Sequence, residues 1–119
     1  NLIMNAVQAM DKKDSFIILR ASSGTSWRDH TIIEVIDNGC GIDRKTRDRI
    51  FDPFFTTKSA AEGTGLGLYV CHNLVVSLGG RIDVETRLGE GSTFAVYLPD
   101  KDRRKNPRPT GTAVETLPT

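Results

Sequence analysis

Residues 63–99 read GTGLGLYVCHNLVVSLGG, then RIDVETR, then LGEG, then STFAVYLP, and this stretch decides the fold. From Gly65 to Leu78, positions Leu66, Tyr69, Val70, Asn73, Leu74 and Ser77 recur at helical spacing, which predicts a helix. Gly79 and Gly80 end it, as glycine does at a helix C-terminus. Residues 81–87 then alternate, with Ile82, Val84 and Thr86 on one face. Residues 92–98 alternate likewise, with Ser92, Phe94, Val96 and Leu98 on one face and Thr93 on the other. The glycine turn at 88–91 makes the two a hairpin, and Pro99 stops the second strand.

Upstream, the same pattern occurs in a different order. Residues 1–10 form a helical stripe of Leu2, Ile3, Ala6, Val7, Ala9 and Met10. No capping residue precedes that helix, so it is expected to begin before Asn1. Residues 15–22 (SFIILRAS) and 31–37 (TIIEVID) read as strands, the second largely buried, separated by a polar loop that contains Gly24. Residues 43–49 form a short charged helix with Asp43 as its cap. Residues 52–63 have no period and read as a long loop, which in a compact domain is usually functional. Helices stand apart from strand pairs along the chain. The expected class is therefore α+β: a two-layer α/β sandwich, with a mixed, mostly antiparallel sheet covered by helices on one face.

Composition agrees with one globular domain. The chain has 119 residues, 38% apolar and 26% charged, with a net charge of +1. Residues 100–119 carry five basic and three acidic residues, which leaves eleven basic and twelve acidic in residues 1–99. The expected division is a domain at 1–99 and a basic, proline-containing disordered tail at 100–119. Such a balance predicts no nucleic-acid partner, and no apolar run reaches the ~18 residues needed to span a bilayer. Cys40 and Cys71 lack C-x-x-C spacing and read as reduced thiols, and Cys71-His72 is too small a set for zinc.

Four segments carry chemistry: NLIMNA (1–6), DNGCGI (37–42), FDPFFTTK (51–58) and GTGLGL (63–68). Asp37 shares strand parity with Ile33 and Val35, and a carboxylate on an apolar face needs a partner. Asp-Asn-Gly is ordinary turn chemistry, but a partly buried carboxylate can also accept from an amino group such as that of adenine. Gly39 and Gly41 would let a flat ring approach the backbone. GTGLGL is either a flexible helix entry or a phosphate cradle made of free N–H groups. It lacks the G-K-[ST] of a P-loop. Asn1 and Asn5 share a helix face, as surface amides or as magnesium ligands. Lys58 is a solvated loop lysine or a mobile charge for a terminal phosphate. Phe51, Phe54 and Phe55 are expected to anchor the loop to the core.

In this order the four segments closely resemble the asparagine box, first glycine box, phenylalanine box and second glycine box of bacterial two-component sensor histidine kinases. These belong to the superfamily of gyrase, heat-shock chaperone, histidine kinase and mismatch-repair ATPases, which have the Bergerat fold. The resemblance covers residues 1–99, and its FFTTK form is similar to that of nitrogen-regulation and metal or dicarboxylate sensor kinases. It implies ATP and Mg²⁺ as cofactors. Asn5 matches the magnesium-ligating asparagine, and Asn1 the polar position a turn earlier. Asp37 matches the adenine-binding aspartate, flanked by Gly39, Gly41 and Ile42. Lys58 matches a lid lysine near the phosphates, Gly63, Thr64, Gly65, Leu66 and Gly67 the phosphate-binding turn, and Ser92 the hydroxyl residue behind the aspartate. Asn5 and Lys58 are the implied catalytic pair.

Two departures stand out. Gln8 stands where many members have a basic residue, which leaves a second phosphate contact unsupported. The family's first strand and the start of its first helix have no counterpart before Asn1, so segment swapping between chains is an expected means of completing the sheet.

The resemblance implies transfer of the γ-phosphoryl group to a histidine on a separate dimerisation domain, and onward, indirectly, to a response regulator. Gyrase-type relatives place a glutamate at the Asn1 position as general base, and an amide cannot take that proton. Neither His30 nor His72 has the acceptor context. Two other readings stay open: a degenerate nucleotide-binding or interaction module without transfer activity, and a serine kinase of the anti-sigma type. The module is expected to be cytoplasmic without direct membrane contact, even where the parent kinase is anchored in the inner membrane.

Overall fold

The computed structural model describes residues 1–23, 30–56 and 66–100. Seven elements follow in the order α1 (Leu2–Gln8), β1 (Ile17–Ser23), β2 (His30–Asp37), α2 (Arg44–Arg47), α3 (Gly67–Ser77), β3 (Arg81–Arg87) and β4 (Gly91–Pro99). The strands form one sheet in the order β1-β2-β4-β3, and all three pairings are antiparallel. Placing β4 between β2 and β3 makes the last described strand a central one. The expected sandwich is what forms, with α3 against β3 and β4 and α1 against β1 and β2.

Register explains where the core lies. Val35 faces Phe94, which faces Val84, and one step along the strands Ile33 faces Val96, which faces Ile82. These rows point to the helical layer, and Ile82, Val84, Phe94 and Val96 are buried there with Ile50 and Val75. Leu2, Ile42, Phe51, Phe55, Leu68 and Leu98 pack around them. Period-2 alternation on β3 and β4 therefore gives one apolar face, as their sequences require.

Both long helices depart from expectation in which face they bury. In α3 the buried side runs through Leu68 to Val75, while Val70 and Leu74 of the expected stripe are exposed. LGLYVCHNLVVSL is apolar nearly all round, so the spacing of its apolar residues could not select a face. In α1, Leu2 and Ala6 turn inward, and Ile3, Val7 and Met10 remain exposed. On β1, Leu19 pairs with the buried Val35 but is itself 53% exposed. Burial thus falls away from β4 toward the β1 edge.

α2 is a single turn. The Thr46 amide donates to Asp43 Oδ1 at 2.7 Å and holds that carboxyl below the usual carboxylate range. The cap's contribution is complete above the ordinary aspartate pKa of about 4 and fades as pH falls through the depressed value. After α2, Phe51 and Phe55 pack against the core, but Phe54 does not anchor the loop. It is 73% exposed and sits at φ 64°, a left-handed conformation that turns its ring outward. The expected tail from residue 101 onward lies outside the described residues, and Asp100 accepts a hydrogen bond from Thr31 Oγ1 at 2.7 Å.

These contrasts predict unequal costs for two phenylalanines. Phe94→Ala is expected to lower unfolding free energy in urea by about 3 kcal/mol, because it empties the centre of the core. Phe54→Ala should change it by less than ~0.5 kcal/mol. Asp43→Asn, which keeps a capping oxygen but removes the charge, should flatten the loss of stability on acidification.

Candidate functional site

The strand register continues beyond the apolar rows. At one end of the buried face, Asp37 on β2 stands opposite Ser92 on β4, and Ser92 stands opposite Thr86 on β3. Three polar residues thus form a row across three strands, directly beside Val35, Phe94 and Val84. Asp37 and Ser92 are the buried polar residues among those described. The Thr86 and Ser92 hydroxyls are 2.7 Å apart. Thr86 Oγ1 also accepts from the Ile42 amide at 2.9 Å and donates to the Gly91 carbonyl at 3.1 Å. With its own proton spent on Gly91, Thr86 takes its third bond from the Ser92 hydroxyl as donor.

Asp37 ends β2 and begins the turn. Gly39 N–H donates to its Oδ1 at 2.9 Å. Its other oxygen, Oδ2, has no hydrogen-bond partner among the described residues. That oxygen is not sealed from solvent, and it remains open to accept from an incoming N–H. A cavity of about 470 Å³ opens here at the strand ends, lined by Asp37, Thr86 and Ser92 with Arg47, Glu85 and Glu90. That volume is in the range of small-molecule sites.

The glycines of the turn serve close packing of backbone. A Cβ on Gly39 would stand 2.3 Å from the Ala9 carbonyl oxygen. Gly41 has φ 69°, and a Cβ there would stand 2.0 Å from the Arg87 carbonyl oxygen. On the side where a Cβ would stand, each glycine therefore makes room for one of the chain's own carbonyls, from the residue after α1 and the end of β3. The Cys40 amide donates to the same Ala9 carbonyl at 2.9 Å, and the Gly89 amide to the Cys40 carbonyl at 2.6 Å. Asn38 closes the turn from the other side, accepting from the Phe16 amide at 2.8 Å and donating to the Asp14 carbonyl at 3.0 Å.

A second group of candidate residues meets where α1 approaches α3. The Asn1 side-chain amide donates to the Gly67 carbonyl at 3.4 Å, and its Oδ1 lies 3.8 Å from where a Gly67 Cβ would be. Asn5 follows one turn later on α1, half-buried. Amide oxygens next to a helix start are hard donors of the kind magnesium accepts while keeping waters. Leu66 immediately precedes α3. Lys58, Gly63, Thr64 and Gly65 lie outside the described residues. Asn1, Asn5 and Gly67 do not line the cavity at Asp37, so the described candidates fall into two groups.

Three residues of the site were missed. Thr86 was placed on the correct face, and its pairing with Ser92 is available from the hairpin. Arg47 donates to the Val84 carbonyl at 3.0 Å and lines the cavity. Lys12 reaches three carbonyls of the turns, and nothing in its local sequence signals this. No group of three or more His, Cys, Asp or Glu side chains suited to a metal exists among the described residues.

Residues 1–102 match the model of the Histidine kinase-, DNA gyrase B-, and HSP90-like ATPase family. The chain is 44% identical over 108 residues to the sensor histidine kinase ZraS of Escherichia coli strain K12, covering 91% of this chain and 22% of that protein. It is 41% identical over 99 residues to the signal transduction histidine-protein kinase AtoS of the same organism, covering 83% and 16%. The chain thus spans about a fifth of the length of these curated relatives. Among solved structures, the nucleotide-free catalytic domain of histidine kinase ThkA superposes with a TM-score of 0.68 at 31% identity, over 83% of this chain and 61% of that one. Full-length ShkA in complex with AMPPNP superposes with a TM-score of 0.69 at 30% identity, over 82% and 19%. The matched region contains every element described above, and the chain belongs to the Histidine kinase-, DNA gyrase B-, and HSP90-like ATPase family, with the ATP-binding α/β fold of histidine kinase catalytic domains.

Proposed function

We propose that this chain binds Mg-ATP and supplies the γ-phosphoryl group to a histidine on a separate dimerisation and phosphoacceptor domain. The observation that carries this is the buried Asp37 side chain, which lines a cavity and has one carboxylate oxygen held by the Gly39 amide. An acceptor in that position suits the exocyclic amino group of adenine. Ser92 and Thr86 back it with hydroxyls that can relay through water. Asn5 and Asn1 on α1 would hold magnesium, which supplies charge neutralisation to the phosphates when bound. The start of α3 at Gly67, with Gly63, Thr64, Gly65 and Leu66 before it, would direct backbone N–H groups to the phosphates. Lys58 would add a mobile positive charge.

In the transfer the bond between the γ-phosphorus and the β,γ-bridging oxygen breaks, ADP leaves, and a phosphorus–nitrogen bond forms to the imidazole. The protein's part is to position and to stabilise charge. Asn1 supports transfer over hydrolysis, because an amide has no basic site to activate water at neutral pH. The acceptor is not expected within this chain. His30 opens β2, and His72 packs its ring 5.4 Å from Phe51. A response regulator would follow the phosphoacceptor domain as the next carrier. No described helix is long and apolar enough to cross a membrane, and we place the module on the cytoplasmic side of its parent protein.

Titration calorimetry with a non-hydrolysable ATP analogue and Mg²⁺ tests the pocket. Asp37→Asn should weaken binding by at least about tenfold, the loss of one hydrogen bond to a charged acceptor. Unchanged affinity in that variant removes Asp37 from the site. Transfer is tested by supplying a phosphoacceptor domain in trans with labelled ATP. Label that is lost in acid and kept in base identifies phosphohistidine, whereas acid-stable label indicates the serine kinase reading.

A further inference from the structure

We propose that Lys12 is a positioning residue that sets the orientation of the Asp37 carboxylate and so contributes to base selection, an inference that rests on the nucleotide reading of the Asp37 pocket. Lys12 lies between α1 and β1, outside all four motif segments. Its ammonium donates to Asn38 O at 2.8 Å and to Gly89 O at 2.8 Å, with Gly39 O at 3.5 Å. An ammonium has three donors and no acceptor, and here it faces carbonyls from two separate turns, the glycine turn after β2 and the β3–β4 turn.

The peptide that links Asn38 to Gly39 is the important one. Its carbonyl oxygen accepts from Lys12, and its N–H donates to Asp37 Oδ1 at 2.9 Å. A peptide unit is planar, so holding the oxygen at one end fixes the direction of the N–H at the other. The positive charge also polarises the unit and strengthens its N–H as a donor. The next peptide is held in the same way, with Gly39 O toward Lys12 and Cys40 N–H on the Ala9 carbonyl. Glycine at 39 would otherwise let the peptide rotate with little resistance. Lys12 thus restrains one carboxylate oxygen through a single rigid unit and leaves Oδ2 as the oxygen that can accept from a ligand. Lys12 itself does not line the cavity.

Asp37 selects a base by accepting from an amino group. Loss of its orientation should therefore affect adenine more than hypoxanthine, which has a carbonyl in place of that amino group. Two readouts on the full chain separate positioning from general stability. The first is hydrogen exchange of the Gly39 amide without nucleotide. It should accelerate by about tenfold in Lys12→Met and stay near wild type in Lys12→Arg, which keeps a charged donor, with the melting temperature as control. The second is the ratio of affinities for a non-hydrolysable ATP analogue and its inosine counterpart with Mg²⁺. Lys12→Met should lower the preference for adenine by about tenfold, mainly through the adenine form.

An unchanged Gly39 amide in Lys12→Met overturns the proposal, whatever the nucleotide data show. Equal weakening of both nucleotides also overturns it, because that is the mark of a structural role. If Asp37→Asn leaves the preference intact while the Gly39 amide responds to Lys12→Met, the positioning stands. What then fails is the assignment of Asp37 as base reader, and with it the contribution to base selection.

Discussion

The constraint on which the rest depends is the burial of one carboxylate at the end of a central strand pair. Asp37 is the last residue of β2 and lies in the same face as Val35 and Phe94, where an unpartnered charge could not persist. It is tolerated because the chain reverses at once and brings the Gly39 amide back to it. That reversal requires glycine at two positions, because the Ala9 and Arg87 carbonyls close in on the turn. The polar row to Ser92 and Thr86 follows from strand register, and so does its position on the helical side of the sheet. The pocket is thus the polar end of the hydrophobic core, continuous with it along the same strands.

Rigidity is distributed accordingly. Around the turn, hydrogen bonds converge from the end of α1, from the segment before β1 and from the β3–β4 turn, which are far apart in sequence. The core behind it is dense at β4 and β3, and thins toward β1, where Leu19 lies on the same face as Val35 but is left uncovered. A ligand at Asp37 would meet a surface that was formed before it arrived. Pre-organisation of this kind lets a single hydrogen-bond acceptor discriminate, because the acceptor need not be ordered on binding.

Much of this is legible in the sequence, for identifiable reasons. The hairpin at 81–99 alternates with period two, and its faces were assigned correctly down to Ser92 and Thr93. Asp43 as a cap follows from its chemistry, and the Thr46 amide meets it. Helix faces were less legible. In α3 apolar residues surround the axis, and only the neighbouring strands decide which of them is buried. The three phenylalanines of 51–55 look equivalent in sequence, but the left-handed backbone at Phe54 separates it from the other two. For the glycines the position was legible and the reason was not, because the carbonyls they accommodate come from residues 9 and 87. Lys12 was invisible for the same cause: its partners are 26 to 77 residues away.

The chemistry proposed here turns on what the site lacks as much as on what it holds. A hydrolase of the gyrase type activates water beside the terminal phosphate with a carboxylate base. At the position one turn before Asn5 the chain has an amide, and its side-chain N–H group is directed to the Gly67 carbonyl at the head of α3. Such a contact ties the proposed metal-binding helix to the proposed phosphate-binding turn without offering a proton acceptor. Magnesium, an amide-lined helix face and a helix start together stabilise charge on a transferring phosphoryl group but leave it without a nucleophile. His72, whose ring lies 5.4 Å from that of Phe51, is not the proposed nucleophile. On the proposed reading, a site of this composition would hold ATP ready and depend on another domain for the attacking nitrogen. Control of the proposed reaction would then lie in whether that domain can approach, which is a suitable place for a sensor to act.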